Sequence, residues 1–231
     1  MKTITTANLS PVEHLFVKTG AITAVRQWHS GRICEIDLHL PEVAFEAWKE
    51  TQSIKCRIYA LHYTSYTPSM WDVNDKICTL YIDTSHNGAG SNWAKSQLAG
   101  NSFYYLKTAA EKHYPVEGKK LFFLGDQTGL GHFCALQQLA AAGTEIKGFI
   151  TFNDAKAAGE FLAYCPWLPL KAISDHTAII QETKDWLTKN QSEKEDFAFY
   201  ITGNATLIVK LRKLVKSYGI PGNLIKSKGF W

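Results

Sequence analysis

The chain has 231 residues, 45% of them hydrophobic, which is enough for one large domain or two ordinary ones. Its formal net charge of +4 is mild, and no segment resembles a known nucleic-acid-reading motif. No window approaches about 18 consecutive apolar residues, and the polar start MKTITTANLSPVEHLF lacks the core of a signal peptide. We therefore expect a cytoplasmic protein without membrane insertion and without a nucleic-acid partner.

The first half, residues 15–113, is typical of short β strands. Its segments are rich in β-branched and aromatic residues and are separated by turn signals. FEAWKE, residues 45–50, could hold a short helical turn. Strands at this spacing predict a small antiparallel barrel. The predicted strands are FVKTGAITAVRQW (16–28), RICEIDLHL (32–40), KCRIYALHY (55–63) and ICTLYIDTS (77–85).

Two segments of this half are candidate binding elements. Thr64–Ser69 is polar where a strand would otherwise continue. Further on, Ser91 resembles the N-cap of a short helix NWAKSQLA that Gly100 would end. Gly88, Gly90 and Ser91 would then offer a helix N-terminus to a phosphate. The alternative is a hairpin loop followed by a connecting helix.

From about residue 115 the pattern changes to alternating strands and helices, which predicts a parallel sheet with helices on both faces. We place the boundary there, giving domains 1–114 and 115–231. The predicted strands are LFFLGD (121–126), IKGFITF (146–152), LKAIS (170–174) and DFAFYITG (196–203), and the predicted helices are 128–143 (ended by Gly143), 154–165, 178–190 and 204–219.

The first strand of the second half runs into a glycine-containing turn, Gly125 to Gly131. Its backbone N–H groups and the following helix dipole could hold a phosphate. The spacing G-x-x-x-G-x-G differs from the G-x-G-x-x-G of Rossmann dehydrogenases and disfavours that class. The alternative to a phosphate-binding turn is an ordinary tight turn between strand and helix. After the next strand, Asp154 would favour NADH, Lys156 could meet the 2′-phosphate of NADPH, and Asp154 could equally be an N-cap.

The cysteines and histidines argue against a metal site. The five cysteines occur singly, with no C-x-x-C pair, as expected of reduced, buried thiols. The eight histidines show neither H-x-x-x-H nor H-E-x-x-H spacing. We expect no protein-held metal.

Four elements occur in an order found in one family. They are TSYTPS (64–69), IDTSHNGAGSNWA (82–94), GDQTGL (125–130) and GFW (229–231). With them the chain resembles the siderophore-interacting proteins, a family of FAD-dependent ferric-siderophore reductases similar in fold to ferredoxin–NADP reductases. That family carries R-x-Y-T-x-R, H-G followed by G-x-x-S-x-W-A, G-D-E-T-A-L and a terminal aromatic element.

The resemblance implies a set of cofactor-binding residues. Thr67 would lie near the isoalloxazine, and no other catalytic side chain is needed. Trp231 could pack over the flavin ring or in the core. The remaining flavin contacts would come from Thr64, Tyr66, Ser69, His86, Gly88, Gly90, Ser91, Trp93 and Ala94, and the nicotinamide nucleotide would meet Gly125, Asp126, Gln127 and Thr128.

The departures from the family motifs concern charge. Thr64 and Ser69 replace two arginines, and a hydroxyl cannot match the bidentate, charge-assisted contact of arginine with a pyrophosphate. Flavin affinity would fall unless another cation substitutes, and the nearest in sequence are Arg57, His62 and Lys95. Gln127 replaces the family's acidic residue, and Gly129-Leu130-Gly131 replaces Ala-Leu-Pro.

The function implied by the resemblance is electron transfer from NADPH or NADH through FAD to Fe(III) in a siderophore. A basic C-terminal region (Lys210, Arg212, Lys213, Lys216, Lys226 and Lys228) would be a docking surface for an anionic siderophore or an ordinary solvated face. Two alternatives stay open: a flavin-poor siderophore-binding protein of the same fold, and a general NAD(P)H:flavin reductase. The sequence assigns neither the siderophore nor the oligomeric state.

Overall fold

The computed structural model describes residues 9–230. The first half forms one antiparallel sheet in the order β4-β3-β7-β1-β2-β6-β5. Its strands are β1 (Lys18–Gln27), β2 (Ile33–His39), β3 (Gln52–Tyr59), β4 (His62–Tyr66), β5 (Ser69–Asp72), β6 (Ile77–Asp83) and β7 (Ser102–Ala110).

The sheet must curl into a barrel. Its two edge strands, β4 and β5, lie at opposite ends of the strand order, yet only Thr67 and Pro68 separate them in the chain. A two-residue link spans about 7–10 Å at most, so it brings the two edges together. Buried side chains such as Ile36, Leu80 and Tyr105 fill the interior. The predicted barrel is confirmed as a barrel-like sheet, and we call the Thr67-Pro68 link the seam.

Two local predictions for this half are wrong or incomplete, and a third is confirmed. Residues 55–63 are not one strand, because the chain reverses at Leu61 (φ 58°) to form the β3–β4 hairpin. β7 is a full strand that no predicted segment covers. The predicted helical turn in 45–50 is a single 3₁₀ turn, Phe45–Ala47.

The short helix α1 (Ala89–Lys95) begins earlier than predicted. Gly88, in an extended conformation, is its N-cap, and the helix ends at Ser96 rather than at Gly100. Ser91 lies inside the first turn, where its hydroxyl donates to the backbone oxygen of His86 at 2.6 Å. Because the helix already begins at Ala89, two residues before Ser91, the assignment of Ser91 as N-cap is wrong.

The second half is a five-stranded parallel sheet in the order β10-β9-β8-β11-β12, as the alternation predicts. The last strand was not predicted, and the first helix ends at Leu139 rather than near Gly143. In chain order the elements are β8 (Lys120–Asp126), α2 (Leu130–Leu139), β9 (Ile146–Thr151), α3 (Ala155–Tyr164), β10 (Lys171–Ile173), α4 (Ala178–Lys189), β11 (Phe197–Gly203), α5 (Ala205–Ser217) and β12 (Ile225–Gly229).

The strand order reverses between β8 and β11. From β8 the chain moves outward to β9 and β10, then returns to β11 on the other side of β8. Right-handed crossovers then place α2 and α3 on one face and α4 and α5 on the other. In open α/β sheets ligands bind beyond the carboxyl ends of the strands at such a switch point.

The two halves share packing. Trp28, at the end of β1, is buried in the core of the parallel-sheet half and stacks on Tyr164 of α3 with ring centroids 4.8 Å apart. The predicted boundary at 114/115 lies in the connection between β7 and β8 and stays a prediction. Within residues 9–230, no helix is both long and apolar enough to cross a membrane.

Candidate functional site

A cleft of about 280 Å³ lies where the seam, the end of β6 and the start of α1 face the start of α2. Phe230, just after β12, closes one side. The cleft is therefore built by both halves of the chain, next to the switch point of the parallel sheet. Its lining consists of His62, Thr64, Ser65, Tyr66, Thr67, Tyr81, Ile82, Asp83, His86, Gly88, Ala89, Gly90, Ser91, Thr128, Gly131, His132 and Phe230.

Thr67, the first seam residue, presents a hydroxyl without a partner. The side chain is buried, and Oγ1 has no hydrogen-bond partner among the described residues. A buried hydroxyl left unpaired is costly, so such groups in folded proteins usually mark a water or a ligand. The backbone of Thr67 lies close to Gly131 on α2, where an added Cβ would be 3.0 Å from the Thr67 carbonyl oxygen.

Asp83, the last residue of β6, presents a carboxylate that is half satisfied. Its Oδ1 accepts from Gln127 Nε2 at 2.7 Å and from the Ser85 backbone N–H at 2.8 Å. Its Oδ2 is buried and has no hydrogen-bond partner among residues 9–230, and His86 Nε2 lies 4.0 Å from it. One oxygen is thus fixed by the second half of the chain, and the carboxylate lines the cleft.

His132 on α2 is the third lining residue with an unpartnered buried atom. It is fully buried, and its Nε2 lies 3.0 Å from Nδ1 of His113. Its Nδ1 has no hydrogen-bond partner in the described chain and lies 3.6 Å from Glu111 Oε2. Burial, with Lys228 nearby, lowers the pKa of His113 to about 4 and that of His132 well below its usual value. Both imidazoles are therefore neutral near pH 7.

The predicted flavin residues divide into two groups. Those that line the cleft are Thr64, Tyr66, Thr67, His86, Gly88, Gly90 and Ser91. Ser69 instead donates to the Thr79 backbone oxygen at 3.3 Å, Ala94 is fully buried, and Trp93 stacks behind Tyr66 with centroids 6.5 Å apart. Contrary to the prediction, these three do not line the cleft, because they pack in or behind the barrel wall.

Gly90 has a steric role that sequence reasoning missed. A Cβ at this position would lie 2.1 Å from the Tyr66 hydroxyl oxygen. The glycine therefore lets the Tyr66 ring lie against the first turn of α1. Any side chain at position 90 must first displace Tyr66 from the cleft wall.

Of the four predicted nucleotide residues in the β8–α2 turn, only Thr128 lines the cleft. Asp126 is buried and accepts from the backbone N–H groups of Thr128 at 3.0 Å and Asn204 at 2.7 Å. Gln127 donates to Asp83 and accepts from the Asn153 N–H at 3.0 Å. A Cβ on Gly125 would lie 1.9 Å from the Thr202 carbonyl oxygen. These three residues therefore hold the turn together, as in the tight-turn alternative.

Of the three cations proposed as substitutes for the missing arginines, Arg57 and Lys95 do not line the cleft. Arg57 Nε donates at 2.7 Å to Glu13, whose carboxylate is fully buried. Lys95 Nζ donates to the His86 backbone oxygen at 3.2 Å. Only His62 lines the cleft, and its ring stacks on Tyr59 at 4.5 Å. The described residues that line the cleft include no lysine and no arginine.

The two residues proposed to distinguish NADH from NADPH, Asp154 and Lys156, both have partners within the protein. Asp154 is the N-cap of α3, where it accepts from the Ala157 N–H at 2.8 Å, and it pairs with Arg32 Nε at 2.7 Å. Lys156 donates to the His29 backbone oxygen at 2.9 Å. This geometry supports the N-cap alternative for Asp154, and the choice between NADH and NADPH stays open.

The C-terminal residues complete the cleft. Phe230 lines it, with its ring 6.3 Å from His132, whereas Trp231 lies outside the described residues. Lys228 pairs with Glu111 and stands 4.9 Å over the Phe230 ring. The basic residues of α5 (Lys210, Arg212, Lys213 and Lys216) are exposed, and none lines the cleft.

Five lining residues that were not predicted are central to the site: Tyr81, Asp83, Gly131, His132 and Phe230. Two of them leave a trace in the sequence. Asp83 is an acidic residue at the end of the apolar strand ICTLYID, and His132 is the only basic residue within the buried run 130–136 of α2. A polar group in an apolar segment is the signal that could have identified them.

A flavin matches part of this cleft. The isoalloxazine ring needs flat apolar walls and a few hydrogen-bonding groups, which Tyr66, Tyr81, Phe230 and the unpaired Thr67 hydroxyl supply. The ring N3–H and the ribityl hydroxyls are donors that the free oxygen of Asp83 could accept. The residues therefore fit the ring and the ribityl chain. A diphosphate would meet no arginine or lysine among the described lining residues.

Comparison with known proteins supports the fold. No family model matches the sequence, and no curated protein matches it. A siderophore-interacting protein of Acinetobacter baumannii is 12% identical in sequence, with 93% of this chain and 90% of that chain aligned and a TM-score of 0.75. The ferredoxin reductase of carbazole 1,9a-dioxygenase is 15% identical, with 93% of this chain and 67% of that chain aligned and a TM-score of 0.77. A siderophore-interacting protein of Aeromonas hydrophila is 13% identical, with 94% of this chain and 91% of that chain aligned and a TM-score of 0.70. Such identities show the fold alone, and the fold expected from the family resemblance is confirmed.

Proposed function

We propose that this protein is a cytoplasmic flavin-dependent reductase that takes electrons from NADH or NADPH and passes them through FAD to Fe(III) in a siderophore. The observation that carries the proposal is the unpaired, buried Thr67 hydroxyl in an aromatic-walled cleft at the switch point of a parallel sheet. The fold is shared with siderophore-interacting proteins and with a ferredoxin reductase. Substrate, electron donor and location are parts of the proposal.

The roles that we assign to side chains are binding and positioning. When bound, the flavin would supply the step from two-electron donor to one-electron acceptor. Thr67 would donate a hydrogen bond to the ring, Tyr66 and Phe230 would cover it and exclude water, and Thr128 would meet the nucleotide. Trp231, which follows Phe230, is proposed as a second cover for the ring. The other proposed flavin contacts are Thr64, His86, Gly88, Gly90 and Ser91.

No acid–base group is required for the final electron transfer. Fe(III) is held by hard oxygen donors of a siderophore, and the Fe(II) formed is held far less tightly, so reduction releases the metal. Here iron is cargo and not a resident of the protein. Within residues 9–230 no cluster of metal-ligating side chains occurs.

The decisive experiment is a reduction assay. Purified protein with FAD, a ferric siderophore and either NADH or NADPH should form Fe(II), which a ferrous chelator traps. The control contains free FAD at the same concentration without protein. A rate equal to this control with both nucleotides and several siderophore types would refute the proposal.

A second candidate function has one observation in its favour. Because the described lining lacks lysine and arginine, the flavin could be an exchangeable substrate, as in a general NAD(P)H:flavin reductase. In that case the protein would reduce free flavin with the nicotinamide nucleotide, and the reduced flavin would leave and pass its electrons to Fe(III) in solution. The rate of Fe(II) formation would then rise with the free flavin concentration and would not saturate with the concentration of the ferric siderophore.

A further inference from the structure

We infer that the cleft recognises the isoalloxazine and ribityl part of a flavin and disfavours its phosphate groups, and that Asp83 is the residue that sets this preference. The inference rests on the proposed flavin-binding function. It concerns which flavin is bound: riboflavin at least as tightly as FMN, and FAD no more tightly than FMN.

The first argument is the charge of the cleft. Among the described lining residues the only carboxylate is Asp83, and lysine and arginine are absent. The lining histidine on α2 is neutral near pH 7, because burial lowers its pKa. The other two imidazoles of the described lining are His62, which stacks on Tyr59, and His86, whose Nε2 lies 4.0 Å from Asp83 Oδ2. A phosphate entering the cleft therefore meets a carboxylate and no lysine or arginine. In a partly desolvated site this repulsion is larger than in water.

The second argument is the fixed orientation of Asp83. Its Oδ1 is held by Gln127 Nε2 and by the Ser85 N–H, at 2.7 and 2.8 Å. Its Oδ2, in a side chain only 5% exposed, has no hydrogen-bond partner in the described chain. The carboxylate cannot rotate away without breaking both bonds. It needs a donor from the ligand, which a ribityl hydroxyl or the ring N3–H provides and a phosphate oxygen does not.

The third argument is that nearby cations and helix groups do not compensate. Arg57 is paired with Glu13, and Lys95, which donates to the His86 backbone oxygen, does not line the cleft. Helix α1 has only seven residues, and the Gly88 N–H is already donated to His86 Nδ1 at 2.9 Å. Nothing described at this end of the cleft replaces the arginine that a pyrophosphate would need.

Binding titrations test the inference without an activity measurement. Flavin fluorescence, followed as protein is added, gives the affinities of riboflavin, FMN and FAD for the wild-type chain and for Asp83→Asn. Asparagine retains an oxygen that can accept from Gln127. We expect Asp83→Asn to raise the FMN affinity relative to riboflavin on the order of tenfold, with FAD changed in the same direction.

The matched control is Asp75→Asn, which removes the same charge from an exposed turn between β5 and β6. It should leave the three affinities in their wild-type ratio. Equal changes for all three flavins in Asp83→Asn, or the same change in Asp75→Asn, would overturn the inference and leave the proposed function intact.

The wild-type protein offers a test that does not depend on the variant folding. Raising the salt concentration from about 0.05 to 0.5 M shortens the screening length severalfold. If Asp83 repels phosphate, salt should increase the FMN affinity relative to riboflavin. If salt instead lowers the FMN affinity relative to riboflavin, a cation of the protein binds the phosphate, and the inference is overturned. It is also overturned if FAD binds far more tightly than riboflavin at low salt. Failure of the wild-type chain to bind any flavin would overturn the proposed function itself.

Discussion

At the scale of single residues, two buried threonines differ only in their surroundings. The hydroxyls of Thr67 and Thr151 are both buried and both lack a hydrogen-bond partner within the described chain, but only Thr67 lines the cleft. Replacing an unpaired buried hydroxyl with a methyl group of the same shape removes a desolvation cost. Their valine variants should therefore behave alike in stability and differently in ligand binding.

We expect Thr67→Val to gain about 1 kcal/mol in the free energy of unfolding and to bind flavin about 3- to 10-fold more weakly, the value of one hydrogen bond. Thr151→Val should gain similar stability with unchanged flavin affinity, and Thr67→Ser should restore binding. Chemical denaturation and fluorescence titration measure the two quantities. Unchanged flavin affinity in Thr67→Val would exclude a hydrogen bond from this hydroxyl to the ring.

Gly125 shows how a motif residue can be structural. A Cβ there would lie 1.9 Å from the Thr202 carbonyl oxygen, so β8 and β11 must separate to accept it. We expect Gly125→Ala to lower the free energy of unfolding by about 2–3 kcal/mol, as overpacking does. Gly159→Ala in α3, where nothing lies within 4 Å of the added Cβ, is the control and should add about 0.5–1 kcal/mol. An unchanged free energy of unfolding in Gly125→Ala would show that β8 and β11 are not in such close contact.

The site residues that the sequence identified are those whose chemistry is visible in a short motif. Thr67 and Gly90 occur in such motifs, and both line the cleft. Asp83 and His132 were not assigned, because a single polar residue in an apolar strand or helix marks an unusual position without saying what that residue contacts. Their role depends on which long-range neighbours satisfy their atoms, namely Gln127 for Asp83 and His113 for His132.

At the scale of elements, the buried carboxylate of Glu13 connects the 3₁₀ turn Glu13–Leu15 to the β3–β4 hairpin by hydrogen bonds. Glu13 accepts from Arg57, from Tyr63 Oη at 2.8 Å and from the Leu61 N–H at 3.1 Å. The hydrogen bond from Arg57 holds the pKa of Glu13 well below its usual range. Removing one partner of a buried pair leaves an uncompensated charge, which is more costly than removing both.

Arg57→Met should therefore lower the free energy of unfolding by about 3 kcal/mol or more. Lys171→Met provides the comparison, because its pair with Glu182 is largely exposed and should be worth under about 1 kcal/mol. The double variant Arg57→Met/Glu13→Gln should recover part of the loss. Similar small losses in Arg57→Met and Lys171→Met would show that Glu13 reaches solvent.

Prediction of the elements succeeds where local pattern and tertiary packing agree. Strands such as LFFLGD are buried on both faces and form continuous apolar runs, whereas the helices between them have one apolar face. Both patterns are visible in the sequence itself. The β3–β4 hairpin lacks a glycine or asparagine at its turn, and Leu61 takes a positive φ there. The short strand β12 carries two lysines, and it is stabilised by pairing with β11, a long-range contact without a local signal.

At the scale of the whole molecule, a buried histidine and a half-buried one connect the two halves. His113 lies in the connection after the barrel and His132 on α2, with their ring nitrogens 3.0 Å apart. Both pKa values are lowered in the folded chain, that of His113 from 6.5 to about 4. As the pH falls below 6.5, the unfolded chain binds protons that the folded chain does not, so stability must fall.

We expect the free energy of unfolding to decrease between pH 7 and pH 5 by up to about 1.4 kcal/mol per pH unit for each of the two histidines. His132→Gln, which can still hydrogen-bond to His113, should make this dependence shallower. The exposed His176→Gln should leave it as in the wild type. Denaturant titrations across this pH range measure the slope, and an equal slope in all three proteins would refute the assignment.

All five cysteines are free and buried, and they are distributed over both sheets: Cys34, Cys56 and Cys78 in the barrel, and Cys134 and Cys165 in the parallel-sheet half. A thiol-specific reagent can therefore modify them only when the surrounding structure opens. Mass spectrometry of the labelled peptides would give the opening rate of each half in the unmodified protein. Because Trp28 of the barrel packs in the other core, we expect the labelling of both groups to proceed together.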